Sequence, residues 1–212
     1  MTKYLFGGSF DPVHQGHILP LLDLQQRFGI PCIHLLPNRL SPLKQAHPPV
    51  SNAHRLAMLE LVCAQYPSLA IEPWELEQPR VSYTIDTVNH FSQTQAVVFI
   101  MGMDSLLTLH HWRNFEQIIA KATLIVLARP GYDFALTVDT PAVIAQALRP
   151  LAAGPEQTTH WQPGEIHIIE TPLIDMSSSH FRAAVQKSDW EHKTILPSVL
   201  NYIQKYHLYQ TT

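Results

Sequence analysis

The chain has 212 residues, 46% of them hydrophobic, and carries 14 Lys plus Arg against 17 Asp plus Glu, for a formal net charge of -3 at neutral pH. That length buries one sizeable core, so a single domain over 1–212 is expected, with no nucleic-acid partner of the kind that needs broad phosphate neutralisation. No apolar run approaches the roughly 18 residues of a membrane-spanning helix, and Met1-Thr2-Lys3-Tyr4 leads straight into a strand-like run, so no signal peptide and a cytoplasmic location are expected. Cys32 and Cys63, the only cysteines, sit in apolar runs and read as small buried thiols.

Residues 3–6 read as the first strand. They are followed by Gly7-Gly8-Ser9-Phe10-Asp11-Pro12-Val13-His14-Gln15-Gly16-His17 and then by an amphipathic helix over 18–28 that Gly29 stops. Strand, loop and helix start form a phosphate cradle: two glycines let the backbone approach an anion, Asp11-Pro12 enforces a turn, and the helix offers N–H groups at its positive end. With a helix beginning near Val13, His14 and His17 project from neighbouring faces of its first turn, where both can donate to one phosphoryl group. The string has neither the Gly-Lys-Ser/Thr ending of a Walker loop nor the three-glycine spacing of a dinucleotide fingerprint. Residues 32–36 then read as a buried strand, which makes one β-α-β unit and predicts a parallel sheet.

The Pro-rich loop 37–49 follows a strand end, where ligands gather in open parallel sheets, and contains Lys44. Ser51 is placed to cap a helix over 52–65 with Leu56, Leu59, Val62 and Cys63 on its core face, and this helix reads as structural. A short strand is expected at 69–72. Ser82-Tyr83-Thr84-Ile85-Asp86-Thr87 opens another helix with hydroxyls placed to cap it. Residues 96–101 are the clearest central strand. At its C-terminal end stand Gly102-Met103-Asp104-Ser105, whose Asp104 suits a ribose hydroxyl or a helix cap, and the two roles are compatible. His110-His111-Trp112-Arg113 follows, and an aromatic among polar neighbours at a strand-end loop favours a ligand platform. Residues 124–128 form a strand that ends in Arg129-Pro130-Gly131-Tyr132. Residues 133–164 carry no recognisable chemistry and read as an insertion, with a helix opening at Thr140-Pro141, and 166–170 return to strand. Ile174-Asp175-Met176-Ser177-Ser178-Ser179-His180-Phe181-Arg182 makes a second anion site at a helix start, and 177–212 form a helical C-terminal part.

The first string resembles the N-terminal motif of the nucleotidyltransferase superfamily with a His-x-Gly-His signature. Ser82-Tyr83-Thr84 with Asp86-Thr87, Gly102-x-Asp104-Ser105, Trp112, and the Ser177–Arg182 turn narrow the resemblance to the bacterial nicotinate-nucleotide adenylyltransferases. That resemblance implies a Rossmann-like α/β fold with a doubly wound, mainly parallel sheet. It also implies transfer of AMP from Mg-ATP to nicotinate mononucleotide, giving deamido-NAD and pyrophosphate in NAD biosynthesis. By the same matches His14, His17, Lys44 and Arg182 are catalytic, and ATP is held by Gly7, Gly8, Ser9, Phe10, His14, His17, Gly102, Asp104, Ser177, Ser178 and Arg182. Ser9, Lys44, Thr84, Trp112 and Arg113 are implied to hold nicotinate mononucleotide. The sequence departs from the family pattern at Leu43, Met176 and Ser179, and Arg80 lies too close to Ser82 to be carried over. Magnesium is expected to arrive with ATP, since no carboxylate-His cluster has metal-ligand spacing. The alternatives are a related adenylyltransferase using nicotinamide mononucleotide or pantetheine phosphate, a class I aminoacyl-tRNA synthetase fragment, or a non-enzymatic nucleotide sensor. Length and charge disfavour the synthetase fragment, and intact His14, His17 and Arg182 argue against the sensor.

Overall fold

Strand residues that are apolar without interruption must be covered on both faces, and this condition sets the architecture. The computed structural model describes residues 1–39, 50–79, 81–128, 135–137, 139–149, 161–171, 176–187, 189–190 and 194–210. Its elements run β1 (Thr2–Gly8), α1 (Gln15–Phe28), β2 (Ile33–Pro37), α2 (Asn52–Gln65), β3 (Leu69–Ile71), α3 (Trp74–Glu77), α4 (Thr84–Phe91) and β4 (Ala96–Gly102). Then follow α5 (Met103–Thr108), a 3-10 turn (Leu109–His111), α6 (Phe115–Lys121), β5 (Thr123–Ala128), α7 (Ala142–Ala147), β6 (Ile166–Glu170), α8 (Ser178–Gln186) and α9 (Pro197–Lys205).

The strands form one sheet of order β3-β2-β1-β4-β5-β6 with every pairing parallel. Alternation along each strand divides the core in two. Phe6, Val98, Ile100, Ile125 and Leu127 face a layer built from α1, α2, α8 and α9, with Leu21, Leu59, Phe181 and Val199 at its centre. Leu5, Val97, Phe99, Met101, Leu124 and Val126 face the layer that includes Val88 of α4, Leu106 of α5 and Ile118 of α6. The chain winds outward from β1 through β2 to β3 and returns to the sheet centre for β4. The crevice where the winding reverses therefore opens beside the C-terminal ends of β1 and β4, the place where open α/β sheets bind ligands.

The expected elements are present, with shifted ends. α1 begins at Gln15 and not near Val13, and Gly29 ends it in the left-handed conformation at φ 62°. Ser51 caps α2 by accepting the His54 N–H at 3.3 Å. The core face of α2 differs from the expected one: Arg55, Met58, Leu59 and Val62 are buried, while Leu56 and Cys63 are half-buried. Cys32 is half-buried as well, and burial pushes both thiols up, Cys63 to about 11, which keeps them protonated and unreactive. The α4 start also differs from the expected one. Tyr83 occupies the cap position and Asp86 accepts its N–H at 3.3 Å, whereas Ser82 and Thr84 make no cap. α3 has no counterpart among the sequence-derived elements.

Candidate active site

The eleven-residue loop begins on the last residues of β1. There the glycines leave room for aromatic rings: an added Cβ on Gly7 would lie 2.8 Å from the Phe99 ring and one on Gly8 2.9 Å from the Phe10 ring. Asn38, just past β2, donates its N–H to the Gly8 carbonyl at 3.0 Å and its side chain faces Ser9 Oγ at 3.5 Å. Phe10 is buried at φ 49°, a left-handed backbone that a bulky residue adopts only when its surroundings hold it there. Its ring meets Phe6 at 5.8 Å and His17 at 5.3 Å between centroids. The Asp11–Pro12 turn expected from the sequence follows.

His14 is the cap residue of α1 and His17 stands three positions into the helix. The two rings stand side by side, 3.7 Å apart between centroids and tilted by 34°. His17 Nδ1 accepts the backbone N–H of His14 at 3.2 Å. A backbone N–H only donates, so the neutral His17 ring carries its proton on Nε2. Gly16 explains the spacing of the motif: an added Cβ there would lie 3.0 Å from both Cε1 and Nδ1 of His14, which is 2% exposed. The helix start is less open than the sequence implied, since the Gln15 N–H is taken by the Thr194 carbonyl at 2.8 Å.

The second turn is tied to the first. Ser177 caps α8 through the His180 N–H at 3.1 Å, and Ser178 Oγ donates to the Pro12 carbonyl at 3.0 Å. Arg182 donates through Nη1 to the Asp11 carbonyl at 2.5 Å and through Nη2 to Ser179 Oγ at 3.2 Å, with Nη1 3.7 Å from the Asp11 carboxylate. Residues 171 positions apart are thus brought together where the two turns meet.

At the other side of the crevice Gly102 caps α5, and Asp104 is exposed in its first turn and not at the cap. An added Cβ on Gly102 would lie 2.5 Å from Asp104 Oδ1, so the glycine makes room for that carboxylate. The Arg113 guanidinium lies over the Tyr83 ring, 5.0 Å from its centroid, which joins the turn after the 3-10 helix to the start of α4 and hence to Thr84. Trp112 packs on the second core layer with its indole Nε1 buried and, among the described residues, unpaired. Lys44 and the Arg129-Pro130-Gly131-Tyr132 string lie outside the described residues, as do 150–160 of the expected insertion. Among the described residues no group of three or more His, Cys, Asp or Glu side chains could hold a metal ion, and no helix is long and apolar enough to cross a membrane.

Two buried charges escaped the sequence reading. Arg55 is 0% exposed and donates to the Ser9 carbonyl at 2.8 Å, the Arg39 carbonyl at 3.4 Å and Asn52 Oδ1 at 2.6 Å. α2 thereby supports the loop at Ser9 as well as the core, a structural role. The available signal was a cation three, four and seven residues before Met58, Leu59 and Val62, on one apolar helix face.

Glu75 of α3 is 5% exposed. Its carboxylate accepts from Thr87 Oγ1 at 2.5 Å, and its carbonyl accepts from Ser82 Oγ at 3.4 Å. It therefore braces the Ser-Tyr-Thr segment from behind. Burial pushes its carboxyl up from 4.5 to about 7, with the Asp86 charge adding to the rise and the Thr87 hydroxyl opposing it. Between those pH values the folded chain holds a proton that the unfolded chain has released, so stability falls as pH rises from 4.5 to about 7. The full loss is about 3 kcal/mol. Glu75→Gln, which keeps an acceptor for Thr87, is expected to flatten this slope. Urea midpoints at pH 5 and pH 8 check it, and an unchanged slope in the variant would assign the titration elsewhere.

A parallel sheet of this order, with two helix-start turns joined at its crevice, is an arrangement of the nucleotidyltransferase type. Residues 5–184 match the family model described as cytidylyltransferase-like. The chain is 37% identical over 210 residues to a protein of Pectobacterium atrosepticum named "Probable nicotinate-nucleotide adenylyltransferase", covering 97% of each chain. An equally named protein of Idiomarina loihiensis is 34% identical over 214 residues, covering 99% of this chain and all of that one. In fold, the chain matches the Plasmodium falciparum nicotinic acid mononucleotide adenylyltransferase complexed with NaAD. The TM-score is 0.71 at 18% identity, over 98% of this chain and 97% of that one. The same enzyme complexed with APC gives a TM-score of 0.69 at 19% identity, over 98% and 96%. The chain belongs to the nicotinate-nucleotide adenylyltransferase family.

Proposed function

We propose that this protein transfers the AMP group of Mg-ATP to nicotinate mononucleotide in the cytoplasm, forming deamido-NAD and pyrophosphate. The observation that carries this reading is the junction of the two turns at the β1/β4 crevice, in a chain of this family. A phosphate oxygen of nicotinate mononucleotide attacks the α-phosphorus of ATP. As the new P–O bond forms, the bond from that phosphorus to the bridging oxygen breaks, and its electron pair leaves on pyrophosphate. The attacking oxygen is already ionised at neutral pH, so the protein supplies position and charge stabilisation and no general base. Holding both substrates together is worth up to roughly 7–11 kcal/mol.

In this reading His17 donates from Nε2 to the triphosphate, at the atom left protonated by the His14 backbone contact. Arg182, anchored on the Asp11 carbonyl and Ser179, offers its remaining N–H groups to the same phosphates. Magnesium enters with ATP as part of the substrate, and Lys44 adds charge. Gly7, Gly8, Ser9, Phe10, Ser177 and Ser178 shape the phosphate cradle, and Asp104 takes the ribose.

Thr84, Trp112 and Arg113 frame the pyridine ring. The Trp112 N–H is a buried donor with no acceptor among the described residues, and in this reading it and neighbouring N–H groups meet a carboxylate, which only accepts. An amide would aim its own NH2 at those donors and leave them unpaired at about 1–3 kcal/mol each. Nicotinate mononucleotide is therefore expected to exceed nicotinamide mononucleotide in kcat/KM by about tenfold or more. Pyrophosphate release from ATP with each mononucleotide, on the wild type and on Trp112→Ala, tests both points. Equal values on the wild type would remove the acid assignment, and an unaltered Trp112→Ala would remove the indole from the pocket.

A further inference from the structure

The last described turn of the chain reaches back to the first loop. After α9 the backbone reverses through two left-handed residues, His207 at φ 51° and Tyr209 at φ 66°, with the Leu208 N–H returning to the Ile203 carbonyl at 3.0 Å. Neither residue is glycine: at His207 the local Leu208–Ile203 bond supports the helix-end turn, whereas at Tyr209, a bulky residue, a left-handed backbone is uncommon. Its side chain makes a specific contact: Tyr209 Oη donates to Asp11 Oδ1 at 2.8 Å. Its ring meets Phe181, the residue before Arg182, edge-on at 6.3 Å between centroids.

Asp11 is 8% exposed, and its carboxylate is divided between two tasks. Oδ1 accepts from Tyr209 and from the Val50 N–H at 3.3 Å, while Oδ2 stands 3.7 Å from Arg182 Nη1. The last distance is too long for a hydrogen bond, so Arg182 is attracted but not captured. Without the Tyr209 donor, Oδ1 keeps a single long partner and the carboxylate turns freely toward the guanidinium. A close Arg–carboxylate pair would then compete with the phosphates for the same N–H groups.

We propose that Tyr209 is a positioning residue, whose hydroxyl holds the Asp11 carboxylate so that Arg182 stays available to the triphosphate of ATP. The proposal rests on the reading of Arg182 as an ATP ligand. Burial, reinforced by the Asp11 charge, raises the Tyr209 phenol, so it remains a donor throughout the neutral range.

A double-mutant cycle tests it, with kcat/KM for Mg-ATP measured on wild type, Tyr209→Phe, Arg182→Ala and the pair, and thermal melts to establish folding. Tyr209→Phe is expected to lose about tenfold in the wild-type background, mostly in KM, and to lose nothing further once Arg182 is gone. Equal losses in both backgrounds, or no loss in either, would overturn the link. An unimpaired Arg182→Ala would instead overturn the reading of Arg182 itself, and the link with it. Asp11→Asn, which keeps an acceptor for Tyr209 and removes the charge, provides a second background: with the competing carboxylate gone, Tyr209→Phe is expected to lose nothing further, and a tenfold loss there would overturn the link.

Discussion

His17→Ala is expected to lower kcat by about 10²–10³-fold while changing ATP affinity far less. A preorganised donor that tightens on developing charge is worth about 2.7–4 kcal/mol in comparable sites. The structure gives the prediction its atom. Nδ1 is committed to the His14 N–H, and the ring is wedged between His14 and Phe10, so Nε2–H is held in place before substrate arrives. Steady-state kinetics with saturating nicotinate mononucleotide check it. Retention of more than about a tenth of wild-type turnover, a loss below about 1.4 kcal/mol, would mean that His17 is not a transition-state ligand.

Arg55→Ala is expected to cost about 3–5 kcal/mol of folding stability, the scale on which a buried charge network fails when one member is removed. The carbonyls of Ser9 and Arg39 and the Asn52 side chain would lose their donor inside a packed layer. A cavity would open beneath the phosphate-sized loop, adding to the cost. Burial drives the guanidinium pKa down while the neighbouring Asp11 opposes it, so the cation is retained by its surroundings and not by solvent. Urea denaturation measures the loss. A midpoint shift corresponding to less than about 1 kcal/mol would show that the three acceptors find water or other donors. Activity should fall with stability here, because Ser9 lies in the loop that Arg55 supports.

The candidate site was legible in the sequence wherever function and local structure share a signal. Gly7 to His17 combines turn residues, a strand end and a helix start within eleven positions, and Ser177 to Arg182 repeats the logic at a second helix. Local reading failed where a residue's role depends on what packs against it. Ser82 and Thr84 look like caps by type, yet Ser82 is drawn to the Glu75 carbonyl and Tyr83 takes the cap position. α3 is a single turn, too short for any periodic pattern, so Glu75 gave no sign of its burial.

The sequence by itself determined the parallel α/β class, through apolar runs too continuous for one-sided burial and helical patterns between them. It also placed the candidate site at strand ends, because loops there collected the glycines, hydroxyls and histidines. Only the tertiary structure decided which of these groups face one another. Arg182 reaches the Asp11 carbonyl across 171 positions, Tyr209 reaches its carboxylate across 198, and Arg55 comes to lie beneath Ser9 with no exposed surface. The physical reason is the range of the forces involved. Turn chemistry and helix periodicity act within a few residues and leave a mark in any short window. A buried charge is stable only through partners that the winding of the sheet delivers from distant parts of the chain.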